Sequence, residues 1–250
     1  MIDLRGSKAL VTGGSRGIGA ACCRLLARAG CDIAVHYRER VDEARRLAEE
    51  IVAMGRQALT ISADISDPQQ VRHLVGQAAT ELNGLNIVVG NAGIWKGAAV
   101  AEMTNAEWDE MIGINLSGLF YLSRESIPHL RLAGGSLIFI ASTAGQRGEA
   151  GHAHYAASKG GVIALTRSLA VELAPAKIRV NAVSPGWIRT DMTEALLRPD
   201  RIDESLKEPI PLGRPGEPED VAGPVVFLAS PLARHITGAI INVNGGAVLA

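Results

Sequence analysis

In the stretch HYAASKGG a tyrosine and a lysine stand four residues apart, as Tyr155 and Lys159. On a helix, residues i and i+4 share one face. The pair therefore projects together, and Ala156, Ala157, Ser158 and Gly160 leave room for a ligand to lie against that face. A phenol ionises near 10, so exchanging its proton at neutral pH needs a shift of roughly three units, or about 4 kcal/mol. One ammonium at ~4 Å supplies on the order of 4 kcal/mol at an effective dielectric of 20. A single lysine is sufficient in magnitude. The chemistry to expect is proton transfer by Tyr155, with Lys159 drawing the phenol's pKa down.

YxxxK recurs by chance, but two further residues join it. Ser142 closes the apolar run SLIFIAS and would present its hydroxyl at a sheet edge. Asn115 falls within MIGINLSG, read as mid-helix, where a buried amide needs a partner.

The elements that must carry these side chains are legible as alternation. Short β-branched runs, KALVTG, CDIAVHY, QALTISAD, LNIVVGNAG, SLIFIAS, KIRVNAVSPG and AIINVNGG, are separated by helical patterns such as 41–54, 71–82 and 155–173. Strands without polar alternation, parted by helices, predict a parallel sheet covered on both faces. The expected fold is α/β: one Rossmann-like, doubly wound domain over 1–250, with seven parallel strands. Residues 187–217, polar and proline-rich, follow a strand's C-terminal end, where such sheets bind ligands; a lid over the site is expected there.

The first strand runs into GGSRGIGAACCRLLARAG, with Gly13, Gly14, Gly17 and Gly19 in a TGxxxGxG arrangement rather than GxGxxG. Missing side chains let backbone N–H groups approach a pyrophosphate, and the positive end of the following helix favours the anion. A dinucleotide is expected here. A site for its non-phosphorylated form usually ends the second strand on a carboxylate that accepts from the ribose. This chain reads IAVHYRER instead, with no carboxylate before Glu39. Arg38 and Arg16 suit a 2′-phosphate, which guanidinium binds through a fork of charge-assisted bonds. NADP(H) is the expected cofactor. Asp64 is positioned to accept from the adenine amino group, and Asn91-Ala92-Gly93 would let the backbone lie against the cofactor. His36 is a contact candidate at the ribose.

Composition excludes several classes. A net charge of −1 on 250 residues gives no global pull toward nucleic acid or an anionic membrane. The opening MIDLRGSKALVTGG has no apolar signal core, and no run approaches the ~20 apolar residues of a membrane span. Cys22, Cys23 and Cys31 are odd in number, two of them adjacent, which fits buried thiols in a reducing compartment; a cytoplasmic location is expected. His152 and His154 flank Tyr155 without paired carboxylates, so no metal is expected. His154 could border the substrate, Trp95 and Trp187 wall the pocket, and Trp108 pack.

In chain order, TGGSRGIG, NAG, the Asn115 segment, Ser142, YAASK, SPGWIRTDM and ITGAIINVNGG resemble the short-chain dehydrogenase/reductase family over the full length. The resemblance implies that Tyr155 is the general acid–base beside the nicotinamide, that Lys159 lowers its pKa and holds the ribose, and that Ser142 orients the substrate oxygen. It further implies that Asn115 anchors a water on the proton path, and that Pro185, Gly186 and Thr190 line the nicotinamide pocket. With Gly13, Gly17 and Gly19, the residues Ser15, Arg16, Ile18, Tyr37, Arg38, Asp64, Ile65, Asn91, Ala92, Gly93 and Ile188 complete the implied cofactor set. Within the family, PIPLGRPGEPEDVAGPVVFLAS is most similar to 3-oxoacyl-[acyl-carrier-protein] reductases, implying reduction of a 3-oxoacyl thioester. An acidic carrier partner calls for basic residues beside the site. Arg131 offers one, but 174–177 reads APAK without an arginine, a departure that counts against docking. A small ketone, sugar or polyol is the alternative substrate, and a non-catalytic NADPH sensor the remote one. Relatives are commonly homotetramers, and a homotetramer is expected.

Overall fold

A computed structural model describes residues 2–132, 134–197 and 210–249. Seven strands form one sheet in the order β3-β2-β1-β4-β5-β6-β7. They are β1 Lys8–Val11, β2 Asp32–Tyr37, β3 Ala58–Ser62, β4 Ile87–Gly90, β5 Gly135–Ile140, β6 Ile178–Pro185 and β7 Ile240–Val243. Every neighbouring pair is parallel. The helices are α1 Gly17–Arg28, α2 Val41–Ala53, α3 Pro68–Glu81, α4 Asn105–Ile112, α5 Gly118–Leu130, α6 Ala144–Arg147, α7 Ala153–Leu173 and α8 Pro218–Ala229.

Two cores explain why the strands read as unbroken apolar runs. Ala9, Val11, Ile33, Val35, Ile138 and Ile140 pack on one face with residues of α1, α2 and α8. Their strand neighbours Leu10, Ala34, Leu137 and Phe139 pack on the other with α3, α5 and α7. Alternate side chains point to opposite faces, so a strand sandwiched between helices must be apolar at every position.

Local chemistry sets the helix ends. Asp67 accepts from the backbone of Gln69 and Gln70, and Pro68 follows it, so α3 begins three residues before the periodicity suggests. Thr104 and Glu107 form a reciprocal capping box on α4. By contrast α1 has no side-chain cap and no acidic residue in its first turn. Its N-terminal amides are left for something else to satisfy.

Two features depart from the expected pattern. Asn115 lies not in regular α-helix but in a π-helical turn, Gly113–Ser117, between α4 and α5. The two ends of the proline-rich segment are tied together: Arg189 N–H donates to the Gly216 carbonyl and Gly216 N–H to that of Trp187, each at 2.8 Å. The expected lid spans 187–217, of which 198–209 lie outside the described residues.

Phe139, fully buried in the interior strand β5, tests the packing. Phe139→Ala should lower the unfolding free energy by about 3–5 kcal/mol in a denaturant titration.

Candidate active site

The strand order reverses between β1 and β4, and ligands of open α/β sheets bind at such a switch point, beyond the strands' C-terminal ends. A cleft of about 390 Å³ lies there. It is bounded by the Gly-rich loop after β1, the segments after β2 and β3, Asn91–Gly93 after β4, Ser142 after β5, Gly186 to Thr193 after β6, and Tyr155 and Lys159 on α7. Of the expected cofactor residues, Gly13, Ser15, Arg16, Gly17, Ile18, Tyr37, Arg38, Asp64, Ile65, Asn91, Ala92, Gly93, Pro185, Gly186, Ile188 and Thr190 all line it, with Tyr155 and Lys159.

Two expected residues are placed differently. Gly19 does not line the cleft; a Cβ there would strike the Gly13 carbonyl, so this glycine lets helix and loop pack. Asn115 is fully buried behind the cleft. Its amide nitrogen donates to the Ile94 carbonyl at 2.9 Å and to Ser158 Oγ at 3.3 Å, and its oxygen accepts from Ile94 N–H at 2.8 Å. The side chain thus clamps the strand-β4 exit onto α7, and its partners are the Ile94 backbone, Ser158 and the Met111 sulfur one turn earlier.

Small residues shape the cradle. Gly13 and Gly17 take positive φ of 61° and 52°, a region L side chains rarely adopt. A Cβ on Gly93 would sit 3.0 Å from Asn115 Oδ1 and 3.7 Å from Lys159 Nζ. Asn91 holds the loop by donating to the carbonyls of Thr12 and Gly13 at 2.9 and 3.0 Å. With the uncapped start of α1 at one end and two guanidiniums near β2, the cradle fits a phosphorylated dinucleotide.

Those guanidiniums are engaged with carboxylates. Arg16 Nη1 lies 3.0 Å from Asp191 Oδ2, and Arg38 Nη2 lies 3.2 Å from Asp64 Oδ2. Both arginines are about half exposed, and such surface pairs hold by ~0–1 kcal/mol. Exchange for a stronger anion is therefore cheap. The Asp64 carboxylate also accepts from Ser66; burial raises its pKa, but these bonds and Arg38 prevail and hold it below the usual range.

At the other end, Tyr155 and Lys159 share one face of α7 and both border the cleft. Lys159 Nζ stands 5.9 Å from the Tyr155 ring centroid and donates to the Ile140 carbonyl at 2.7 Å. Here the expected electrostatics do not hold for the chain by itself. Burial dominates and pushes the phenol up to about 12, against a lowering hydrogen bond with Ser142 and a raising contribution from Glu149. The same desolvation pulls Lys159 down to about 8. Lys159 Nζ is turned to the Ile140 carbonyl and lies 5.9 Å from the Tyr155 ring centroid, so loss of water from the phenolate sets the direction.

A smaller pocket of about 80 Å³ opens beside Tyr155 and Ser142. Trp95 and Trp187 line it and meet edge to face, their centroids 6.0 Å apart. His152 stacks on Trp95 at 4.6 Å. His154 is buried and its Nδ1 lacks a partner. Trp108, expected to pack, is exposed on α4. Residues that sequence reading missed are Arg40, Asp191 and Thr193 in the cleft, and Arg147 and Glu149 in the pocket. Arg40 and Asp191 lie within the quoted stretches IAVHYRER and SPGWIRTDM; Arg147 and Glu149 carry no local signal. The three cysteines are buried away from the cleft, and burial pushes Cys22 and Cys31 up to about 12, as befits inert thiols. Among the described residues no group of three or more His, Cys, Asp and Glu could hold a metal ion, and no helix is long and apolar enough to cross a membrane.

The fold, the Gly-rich cradle and the Ser142–Tyr155–Lys159 cluster define an NAD(P)-dependent oxidoreductase, and the chain belongs to the short-chain dehydrogenase/reductase family. A family model described as enoyl-(acyl carrier protein) reductase matches residues 13–248. The chain is similar to the 3-oxoacyl-[acyl-carrier-protein] reductase of Staphylococcus aureus, 42% identical over 239 residues, covering 95% of this chain and 96% of the relative. Among solved structures it is similar to a glucose/ribitol dehydrogenase of the family from Brucella melitensis, with a TM-score of 0.91, 37% identity and coverage of 100% and 99%. It is likewise similar to a short-chain dehydrogenase from Burkholderia cenocepacia in complex with NADP, with a TM-score of 0.91, 35% identity and coverage of 98% of each chain.

The depressed Lys159 makes a signed prediction. A lysine whose folded pKa falls from 10.5 to about 8 binds its proton less tightly folded than unfolded. Stability should rise with pH between those values, by on the order of 3 kcal/mol, and not change below them. Subtracting the stability–pH curve of Lys159→Met from that of the wild type should expose this rise, read from denaturant midpoints.

Proposed function

We propose that this chain reduces a carbonyl to a secondary alcohol with NADPH, and that its substrate is a 3-oxoacyl thioester. The observation that carries the reading is one cleft bordered by a phosphate cradle with two arginines at one end and by Ser142, Tyr155 and Lys159 at the other. The likeness to a 3-oxoacyl-[acyl-carrier-protein] reductase and to a structure in complex with NADP supports it.

When bound, the reduced dinucleotide supplies hydride to the carbonyl carbon. Arg16 and Arg38 hold the 2′-phosphate in place of Asp191 and Asp64, and the first-turn amides of α1 take the pyrophosphate. A phenol pushed up to about 12 is protonated at neutral pH. Tyr155 therefore stands ready as the general acid that donates to the carbonyl oxygen. Ser142, which lines the cleft beside Tyr155, orients that oxygen. Lys159 holds the ribose and, when protonated, stabilises the tyrosinate left behind; Asn115 keeps α7 against the β4 exit. Of the expected cover, Trp187, Met192 and Thr193 border the pocket beside Ser142 and Tyr155.

A second reading is a small ketone, sugar or polyol as substrate. Two tryptophans meeting at 90° beside Tyr155 make a compact aromatic corner. Arg131 and Lys177 precede β5 and β6 and so stand at the sheet edge opposite the cleft, ~20 Å away along a six-residue strand. A carrier protein docked on them would not face this chain's own site.

Tyr155→Phe should cost about 10²–10⁴-fold in kcat while NADPH still binds, as read by steady-state assay and fluorescence titration. Arg16→Ala with Arg38→Ala should weaken NADPH by about tenfold or more and leave NADH nearly unchanged. Equal losses for both would overturn the cofactor preference. An NADPH-oxidation screen of acetoacetyl thioesters against simple ketones and sugars separates the two substrate readings.

A further inference from the structure

His36 sits near the end of β2 and is 2% exposed. The ring is held at both nitrogens: Gly13 N–H donates to Nδ1 at 2.9 Å, and Nε2 lies 3.0 Å from the Ala63 carbonyl. The main-chain carbonyl of the same residue accepts from Gly14 N–H at 2.8 Å. One residue thus fixes two successive amides of the Gly-rich loop and ties them to the exit of β3.

The partners leave one arrangement of protons. A backbone N–H only donates, so Nδ1 must be bare; a carbonyl only accepts, so Nε2 must carry the hydrogen. The neutral ring satisfies both. A second proton would turn Nδ1–H against Gly13 N–H and bring a charge into a buried position. It would break the Gly13 bond and push the loop off its register. The charged groups that line the cleft with His36 are Arg16 in the loop, Arg38, Glu39 and Arg40 after β2, Asp64 after β3, Asp191 after β6 and Lys159 on α7. Burial holds His36 below the ordinary histidine range, outweighing the bond to the Ala63 carbonyl and the Asp64 charge, both of which favour a protonated ring.

We propose that His36 is a positioning residue that holds the dinucleotide loop in its binding shape while neutral and releases it on protonation, so that acid weakens dinucleotide binding through this ring. His36 touches no reacting atom; it acts through Gly13 and Gly14. The proposal rests on the cleft being the dinucleotide site.

The test is the NADP⁺ dissociation constant of wild type and His36→Asn between about pH 7.5 and 5. An asparagine oxygen can accept from Gly13 N–H in place of Nδ1 and does not titrate in this range. The 2′-phosphate titrates near 6 but is common to both proteins and cancels in the ratio. The ratio of wild-type to variant dissociation constants should rise severalfold as pH falls toward 5. A constant ratio would overturn the role of His36 while leaving the dinucleotide site intact. Failure of the wild type to bind NADP⁺ at neutral pH would overturn the site itself. If the variant does not fold, wild-type hydrogen exchange carries the test. Protection of the Gly13 amide should collapse on acidification while Thr12 N–H, bonded to the Val89 carbonyl at 3.0 Å, stays protected. Equal protection of both in acid would overturn the proposal.

Discussion

Removal of water from one face of α7 is the constraint on which the site depends. It acts on two titratable groups a helical turn apart and drives them in opposite directions, Tyr155 up to about 12 and Lys159 down to about 8. Both shifts favour the neutral forms. A half-buried phenol that keeps its proton is suited to donate one, and a buried ammonium near its own titration is poised to respond to a nearby charge. The geometry is maintained by close backbone approach. Gly145 sits where a Cβ would strike the Lys159–Gly160 peptide, and Gly161 where it would strike Leu116. Asn115 then bonds Ile94 on one side and Ser158 on the other.

The cofactor end follows a different logic. Its surfaces are small residues and backbone, and its charges are exposed pairs that exchange readily. Arg16–Asp191 joins the Gly-rich loop to the segment after β6, and Arg38–Asp64 joins the exits of β2 and β3. Each arginine therefore has a resting carboxylate until a better anion arrives. The dry end sets protonation; the wet end sets binding.

The fold was legible because each strand is covered on both faces, which writes unbroken apolar runs into the sequence. The cleft's lining was legible because glycines, the YxxxK spacing and the family's motifs mark it. What escaped were consequences of depth. Gly19 looks identical to Gly17 in the sequence, yet only Gly17 faces the cleft, because a helix turns by 100° per residue. His36 read as a contact candidate at the ribose; it lines the cleft, and both its ring nitrogens also find backbone, a role that spacing does not reveal. The sign of the Tyr155 shift could not be read from spacing, since it depends on how much water the fold excludes. Arg131 matched a docking region in sequence, and the strand polarity puts it at the far edge of the sheet.

The most direct test is a tyrosinate absorbance titration of the wild type minus Tyr155→Phe, with and without saturating NADP⁺. The chain has three tyrosines, so the difference isolates one phenol. By itself, Tyr155 should give no tyrosinate signal through about pH 10, where an ordinary phenol is half ionised. The positive charge of the oxidised nicotinamide should then move its ionisation to lower pH. A phenol that already ionises near neutrality in the chain alone, or one that NADP⁺ leaves unmoved, would contradict the assignment of Tyr155 as the proton donor.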